Sequence, residues 1–222
     1  MASSVDIVNL ALSHLGDEAA VTSISPADGT EQAAQAAKFY PIALQTILEA
    51  HDWNFAMKRK VLAELSITPP DAWEYGYSIP NDMLTPIAVL PQDAPDETVD
   101  LGYEIDYVIE ALTDGTRVLY CNVEQATLRY VANITDTTKL SMVFINALTR
   151  LLASYLAGPI LKGDAGAKAN ATQWELYEKV WLPKAKEHDG RTKKNDVTHV
   201  PGSIAARSGT ISPYSYPAKI TR

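Results

Sequence analysis

The chain has 222 residues, 46% of them apolar and 21% charged, with a formal net charge of −8. That is enough apolar material for a sizeable core in one large domain or two small ones. The single cysteine, Cys121, excludes an internal disulfide and any cysteine-based metal cluster within one chain.

The charge is uneven. Residues 1–183 hold 11 Lys and Arg against 24 Asp and Glu, a balance of −13, whereas residues 184–222 hold 8 against 3, a balance of +5. An acidic body argues against tight phosphate binding, because such affinity comes from neutralising phosphates. The basic end suits an acidic protein surface or nucleic acid. Neither a basic n-region nor a long apolar run opens the chain, so the expected site of synthesis is a reducing cytoplasm.

In chain order, a first helix is expected from about Ser4 to Leu15. Ser3 and Asp6 have capping-box spacing, Val5, Val8, Leu12 and Leu15 share a face, and Gly16 ends the run. A second helix is expected from about Thr30 to His51, with Ala33, Ala37, Tyr40, Leu44, Ile47 and Leu48 on one face and a kink or break at Pro41. From Lys58 to Asn133 the apolar period drops to that of strands: Arg59–Leu65, Tyr75–Ile79, Ile87–Leu90, Tyr103–Glu110, Arg117–Tyr120 and Ala126–Val131. Thr113-Asp114-Gly115 is a hairpin turn between the fourth and fifth. The short connections require antiparallel pairing.

A third helix is expected from about Lys139 to Lys162, with so broad a stripe of Leu140, Phe144, Ala147, Leu148, Leu151, Leu152 and Tyr155 that it reads as the central helix. The stretch Leu140 to Leu161 has membrane-spanning length. Arg150 at its centre costs ~2.5–3.5 kcal/mol on insertion scales, so a buried core helix is the reading. A fourth helix starts near Asp164 with Ala167, Ala171, Trp174, Tyr177 and Trp181 on its expected inner face. Regular periodicity ends after Gly190. A segment with Pro201-Gly202, Pro213 and Pro217 orders only when something holds it.

The motifs of common chemistries are missing. His14, His51, His188 and His199 lack ligand spacing, and no HExxH, CxxC or GxSxG occurs. Gly158 and Gly163 have P-loop spacing, but Asp164 occupies the place of the phosphate-binding lysine. The acidic run Asp93, Asp96, Glu97, Asp100, Glu104, Asp106, Glu110 and Asp114 contains no basic residue. It reads as a solvated outer face or, in a ring, as a like-charged channel wall past which DNA slides. A glycosidase would need two such carboxylates across a cleft, one with a raised pKa.

Several pieces carry a resemblance. The junction Leu48-Glu49-Ala50-His51-Asp52-Trp53-Asn54-Phe55-Ala56-Met57-Lys58-Arg59 comes first. Then come the turn Ser78-Ile79-Pro80-Asn81-Asp82, the run Leu128-Arg129-Tyr130-Val131-Ala132 before a Thr-Asp linker and a long apolar helix, and an Ala-rich Trp/Tyr helix. In this order, over roughly residues 3 to 182, the chain resembles the tail tubular protein A (head-to-tail adaptor) family of T7-like podoviruses. The resemblance implies a structural virion protein of the tail or neck, made in the host cytoplasm. It implies a ring, usually of twelve copies, between the portal protein and the tail nozzle protein. DNA would pass through without specific binding, and no catalytic step, metal, cofactor or membrane is expected to be involved.

The expected architecture is α+β. An antiparallel four-helix bundle (1–57 and 134–190) carries an inserted small antiparallel β-sheet or barrel domain (58–133) and an extended C-terminal arm (191–222). In that arm Arg207, Tyr214, Tyr216, Lys219, Ile220 and Arg222 are the expected portal-binding residues, since Tyr and Arg make good anchors. Trp53 and Phe55 are expected to pin the β insert to the helices. Two rival readings stand beside this one. One is a tail-associated polysaccharide hydrolase, and the other a carbohydrate- or host-surface-binding module using Trp73, Tyr75 and Tyr77.

Overall fold

The computed structural model describes residues 2–18, 20–70, 72–91 and 105–192. Two helices come first, α1 (Ser4–Ser13) and α2 (Glu31–Glu49). Six strands follow: β1 (Met57–Val61), β2 (Tyr75–Ser78), β3 (Met83–Leu90), β4 (Tyr107–Ala111), β5 (Arg117–Cys121) and β6 (Thr127–Ala132). Then come α3 (Met142–Leu161), α4 (Gly163–Leu176), a π-helical turn (Tyr177–Trp181) and α5 (Leu182–Gly190).

Local chemistry sets these boundaries. Ser3 and Asp6 form a reciprocal capping box on α1: Asp6 N donates to Ser3 Oγ at 3.1 Å and Ser3 N to Asp6 Oδ2 at 2.8 Å. Thr30 caps α2 and Ser141 caps α3, each side chain accepting an N–H three residues on. Pro41 does not divide α2; the helix runs through it as one element. Further on, Pro183 has no N–H to offer the carbonyl of Lys179. The backbone there widens into the π turn, and Leu182 N donates to Tyr177 O instead.

The α+β class holds, but the antiparallel four-helix bundle does not. In a bundle each helix gives one stripe to a shared core. Here α3 is itself the core. Phe144, Ile145, Ala147, Leu148, Thr149, Leu151, Leu152, Ala153, Ser154, Leu156 and Ala157 are all buried, and together they cover every side of the helix. The helices α1, α2 and α4 each pack onto it. At ten residues α1 is too short to run the length of a twenty-residue partner. Among the described residues α3 is the one helix long and apolar enough to cross a membrane, and it is the helix enclosed by its neighbours.

Nor do the strands form one small sheet or barrel. They form two three-stranded antiparallel sheets, in the orders β1-β6-β3 and β2-β5-β4. The chain leaves the first sheet after β1 and touches the second through the Glu64–Tyr77 bridge. At another corner Ile105 N donates to Val89 O at 3.2 Å. Two register shifts in β3, on either side of the Thr85–Pro86 pair, interrupt its ladder with β6. A sheet that must bend and carry a proline does so on an edge strand, and β3 is an edge.

Candidate functional site

The residues quoted for the resemblance meet in space around the hand-over from α2 to β1. Trp53 is 1% exposed, and its indole N–H donates to Ile47 O at 2.7 Å, satisfying a carbonyl in the last turn of α2. Its ring centroid lies 4.9 Å from that of Phe144, edge to face, and Phe55 lies 5.0 Å from the same ring. These three rings join the helix end, the start of the β segment and the first turns of α3.

The next residue binds the far end of the described chain. Asn54 N donates to Asp189 Oδ1 and Oδ2 at 3.1 and 3.0 Å, and Asn54 Nδ2 donates to Asp189 Oδ2 at 2.9 Å and Asp189 O at 2.8 Å. Asp189, 5% exposed, lies in the last turn of α5. His51 Nε2 is 3.7 Å from Asp189 Oδ2. Thr192 Oγ1 accepts from Asn54 Nδ2 at 3.1 Å and itself donates to Asp189 O at 2.6 Å. A buried carboxylate is tolerable because these donors replace its water. The segment after Thr192 therefore starts from a fixed point on the junction.

A second node links two more of the quoted pieces. Asp82, in the turn before β3, accepts from Lys58 Nζ at 2.6 Å and from the Tyr130 hydroxyl at 2.9 Å, while its carbonyl accepts from Asn133 N at 2.7 Å. The bond from Lys58 is the main cause that holds the Asp82 carboxyl below the usual range. Burial, followed by the bond to Asp82, pushes Tyr130 up to about 12. Lys58, Asp82 and Tyr130 thus tie together three segments distant in sequence.

Elsewhere the sequence-picked residues are less concentrated. Asp106, Glu110 and Asp114 are exposed, and Asp114 accepts from Thr116 N at 2.8 Å within its hairpin turn. Asp93, Asp96, Glu97, Asp100 and Glu104 lie outside the described residues, as do Arg207, Tyr214, Tyr216, Lys219, Ile220 and Arg222. The set Trp73, Tyr75 and Tyr77 is not an open platform: Tyr77 is buried with its hydroxyl on Val123 O at 2.7 Å, and Tyr75 stacks on it at 6.2 Å.

The face expected on the fourth helix is only partly the inner one. Tyr177 is buried and Trp181 packs against the core as expected, but Ala167, Ala171 and Trp174 are exposed, and Gly166 and Gln173 point inward in their place. A Cβ on Gly166 would sit 2.9 Å from Ala157 O. The close α3–α4 crossing needs a glycine there, and that requirement sets the rotation of the helix. Gln173 is buried because it bridges two elements, accepting from Arg150 Nη1 at 2.9 Å and donating to His14 O at 3.1 Å. Apolar periodicity gave no sign of this polar bridge.

The ionisable groups describe structural bonding. Every described carboxyl with a resolved shift is shifted down: Asp6, Asp28, Asp82, Asp114, Asp136 and Glu175. A general acid working near neutral pH needs the opposite. Cys121 is buried, its thiol pushed up by burial. No group of three or more His, Cys, Asp or Glu among the described residues is arranged to hold a metal ion.

No protein-family model matches the chain, and the curated proteins searched give no match. The fold and these nodes define an α+β protein whose junction residues join its own elements to one another.

Proposed function

We propose that the chain is a structural adaptor of the head-to-tail type, a ring-forming part of a virion joint between portal and tail nozzle. One observation supports this reading best. The residues of the sequence resemblance are those that connect α2, β1, β3, β6 and the end of α5. In a part that works by shape, bonding effort goes into fixing elements relative to one another. The clasp on Asp189 suits such a part, because a basic segment that reaches into a neighbour is most useful when its origin is fixed. Ordering that segment on a partner costs conformational entropy, and a fixed origin reduces the cost.

The arm hypothesis is tested by deleting residues 207–222 and assaying attachment to portal-bearing particles. Attachment falls at least tenfold if the arm docks on the portal. Unchanged attachment removes the arm from the proposal.

A further inference from the structure

The two sheets end in strands of opposite charge. Strand β1 reads Met57-Lys58-Arg59-Lys60-Val61, so three of the 11 Lys and Arg in residues 1–183 stand in a row on it. Arg129 lies opposite Arg59 on β6 and adds a fourth cation to the same stretch of sheet. Lys58 is joined to Asp82, while Lys60 is exposed. Strand β4 reads Tyr107-Val108-Ile109-Glu110-Ala111, with Asp106 before it and Asp114 in the turn after it. It holds no basic residue, and Asp106, Glu110 and Asp114 are all exposed. Among the described residues each of these strands is an outer one: β1 pairs with β6 alone, and β4 with β5 alone.

The backbone is oriented to take a further strand. Leu62 N donates to Ala126 O and Ala132 N to Ala56 O, both at 2.9 Å, so the even-numbered residues of β1 bond to β6. Alternation along the strand then turns the N–H and C=O of Val61 outward. Leu112 N donates to Thr116 O at 2.8 Å, so by the same rule Ile109 turns its N–H and C=O away from β5. Val61 is also 52% exposed, an apolar β-branched side chain left on the rim of a sheet.

Charge decides what such an edge accepts. Lysines on an outer strand bar pairing with a like edge, and like charges directly opposite are destabilising. Two β1 strands therefore repel each other, as do two β4 strands, whereas β1 and β4 attract. An antiparallel pairing with Val61 opposite Ile109 also puts Lys60 opposite Glu110. A β-branched pair then stands beside an ion pair, and both stabilise a ladder.

We propose that the outer edge of β1 is a docking surface for β4 of a second copy of the chain. The contact is head-to-tail, because each copy offers one edge of each charge. The inference does not rest on the adaptor reading, and its failure leaves that reading in place, since copies in a ring can meet through other faces.

The test is sedimentation velocity of the full chain at low ionic strength, with concentration raised to the solubility limit, for the parent and two charge reversals, Lys60→Glu and Glu110→Lys. Both side chains are exposed, so both variants are expected to fold, which far-UV circular dichroism verifies. Each variant alone sets like charges against each other at the contact and should self-associate about threefold or more weakly than the parent. Mixed in equal amounts, the two variants restore opposite charges at every contact, and association returns towards that of the parent. Val61→Pro tests the backbone separately: it removes an outward N–H, so it weakens association and spares the ladder between β1 and β6. A parent that stays monomeric, single reversals that associate like the parent, or a mixture as weak as its components would each overturn the proposal.

Discussion

Asn54 and Asp189, 135 positions apart, are joined by the Asn54 backbone N–H and side-chain amide converging on one buried carboxylate. The bond closes the helical layer on itself. It ties the α2–β1 junction to the last turn of α5, so the far end of the described fold is held against a junction in its first third.

Truncating Asn54 to alanine leaves Asp189 buried with fewer donors. Hydrogen bonds to charged groups are worth ~1.5–3 kcal/mol, so Asn54→Ala is expected to destabilise the fold by about 2–3 kcal/mol in urea unfolding. Protection of α5 amides from hydrogen exchange should fall with it. A change under ~0.5 kcal/mol, within the range of ordinary surface substitutions, would show the clasp to be dispensable.

Gly166→Ala tests the α3–α4 crossing. The new methyl meets the Ala157 carbonyl at 2.9 Å, and backbone cannot rotate away as a side chain can. Overpacking of this kind costs ~1–3 kcal/mol, against a gain of up to ~1 kcal/mol in helix propensity. A net loss of thermal stability is expected, and a gain would mean the helices separate freely.

The buried hydroxyl of Tyr40 has no hydrogen-bond partner among the described residues. Burial also raises its pKa. Removing an unsatisfied polar group relieves a desolvation penalty of ~1–3 kcal/mol. Tyr40→Phe should therefore hold or raise the melting temperature, which differential scanning calorimetry will measure directly.

His14 makes stability depend on pH. Its folded pKa, about 4, lies below the ordinary 6.5, so between those values the unfolded chain binds the proton that the folded chain refuses. Stability therefore falls as pH drops from about 6.5 to about 4, and recovers above 6.5. His14→Gln should flatten that part of the curve relative to the parent. Parallel curves for the two proteins would rule out His14 as the cause.

Much of the secondary structure could be read from the residues, and the reasons for the failures are physical. The capping box at Ser3 and Asp6, the length of α3 and the β4–β5 hairpin follow from local chemistry that a sequence carries openly. Packing was less visible. The central, buried place of α3 is legible in its length and broad apolar stripe, but the stripe alone does not show that the shorter helices pack around it rather than beside it as equal members of a bundle. The rotation of α4 is not legible in the sequence because Gly166 and Gln173, the residues that set it, carry no apolar signal. The Asn54–Asp189 clasp has no periodic signature at all: Asn54 stands out in the sequence only within the stretch that carries the resemblance, and nothing in the sequence marks Asp189.

The most direct test of the adaptor account is electron microscopy of purified virus particles that encode this chain, with the chain tagged at its N-terminus. The account predicts tag density in a ring at the joint between portal and nozzle. Particles that lack the chain, or carry it elsewhere on the tail, would contradict the account.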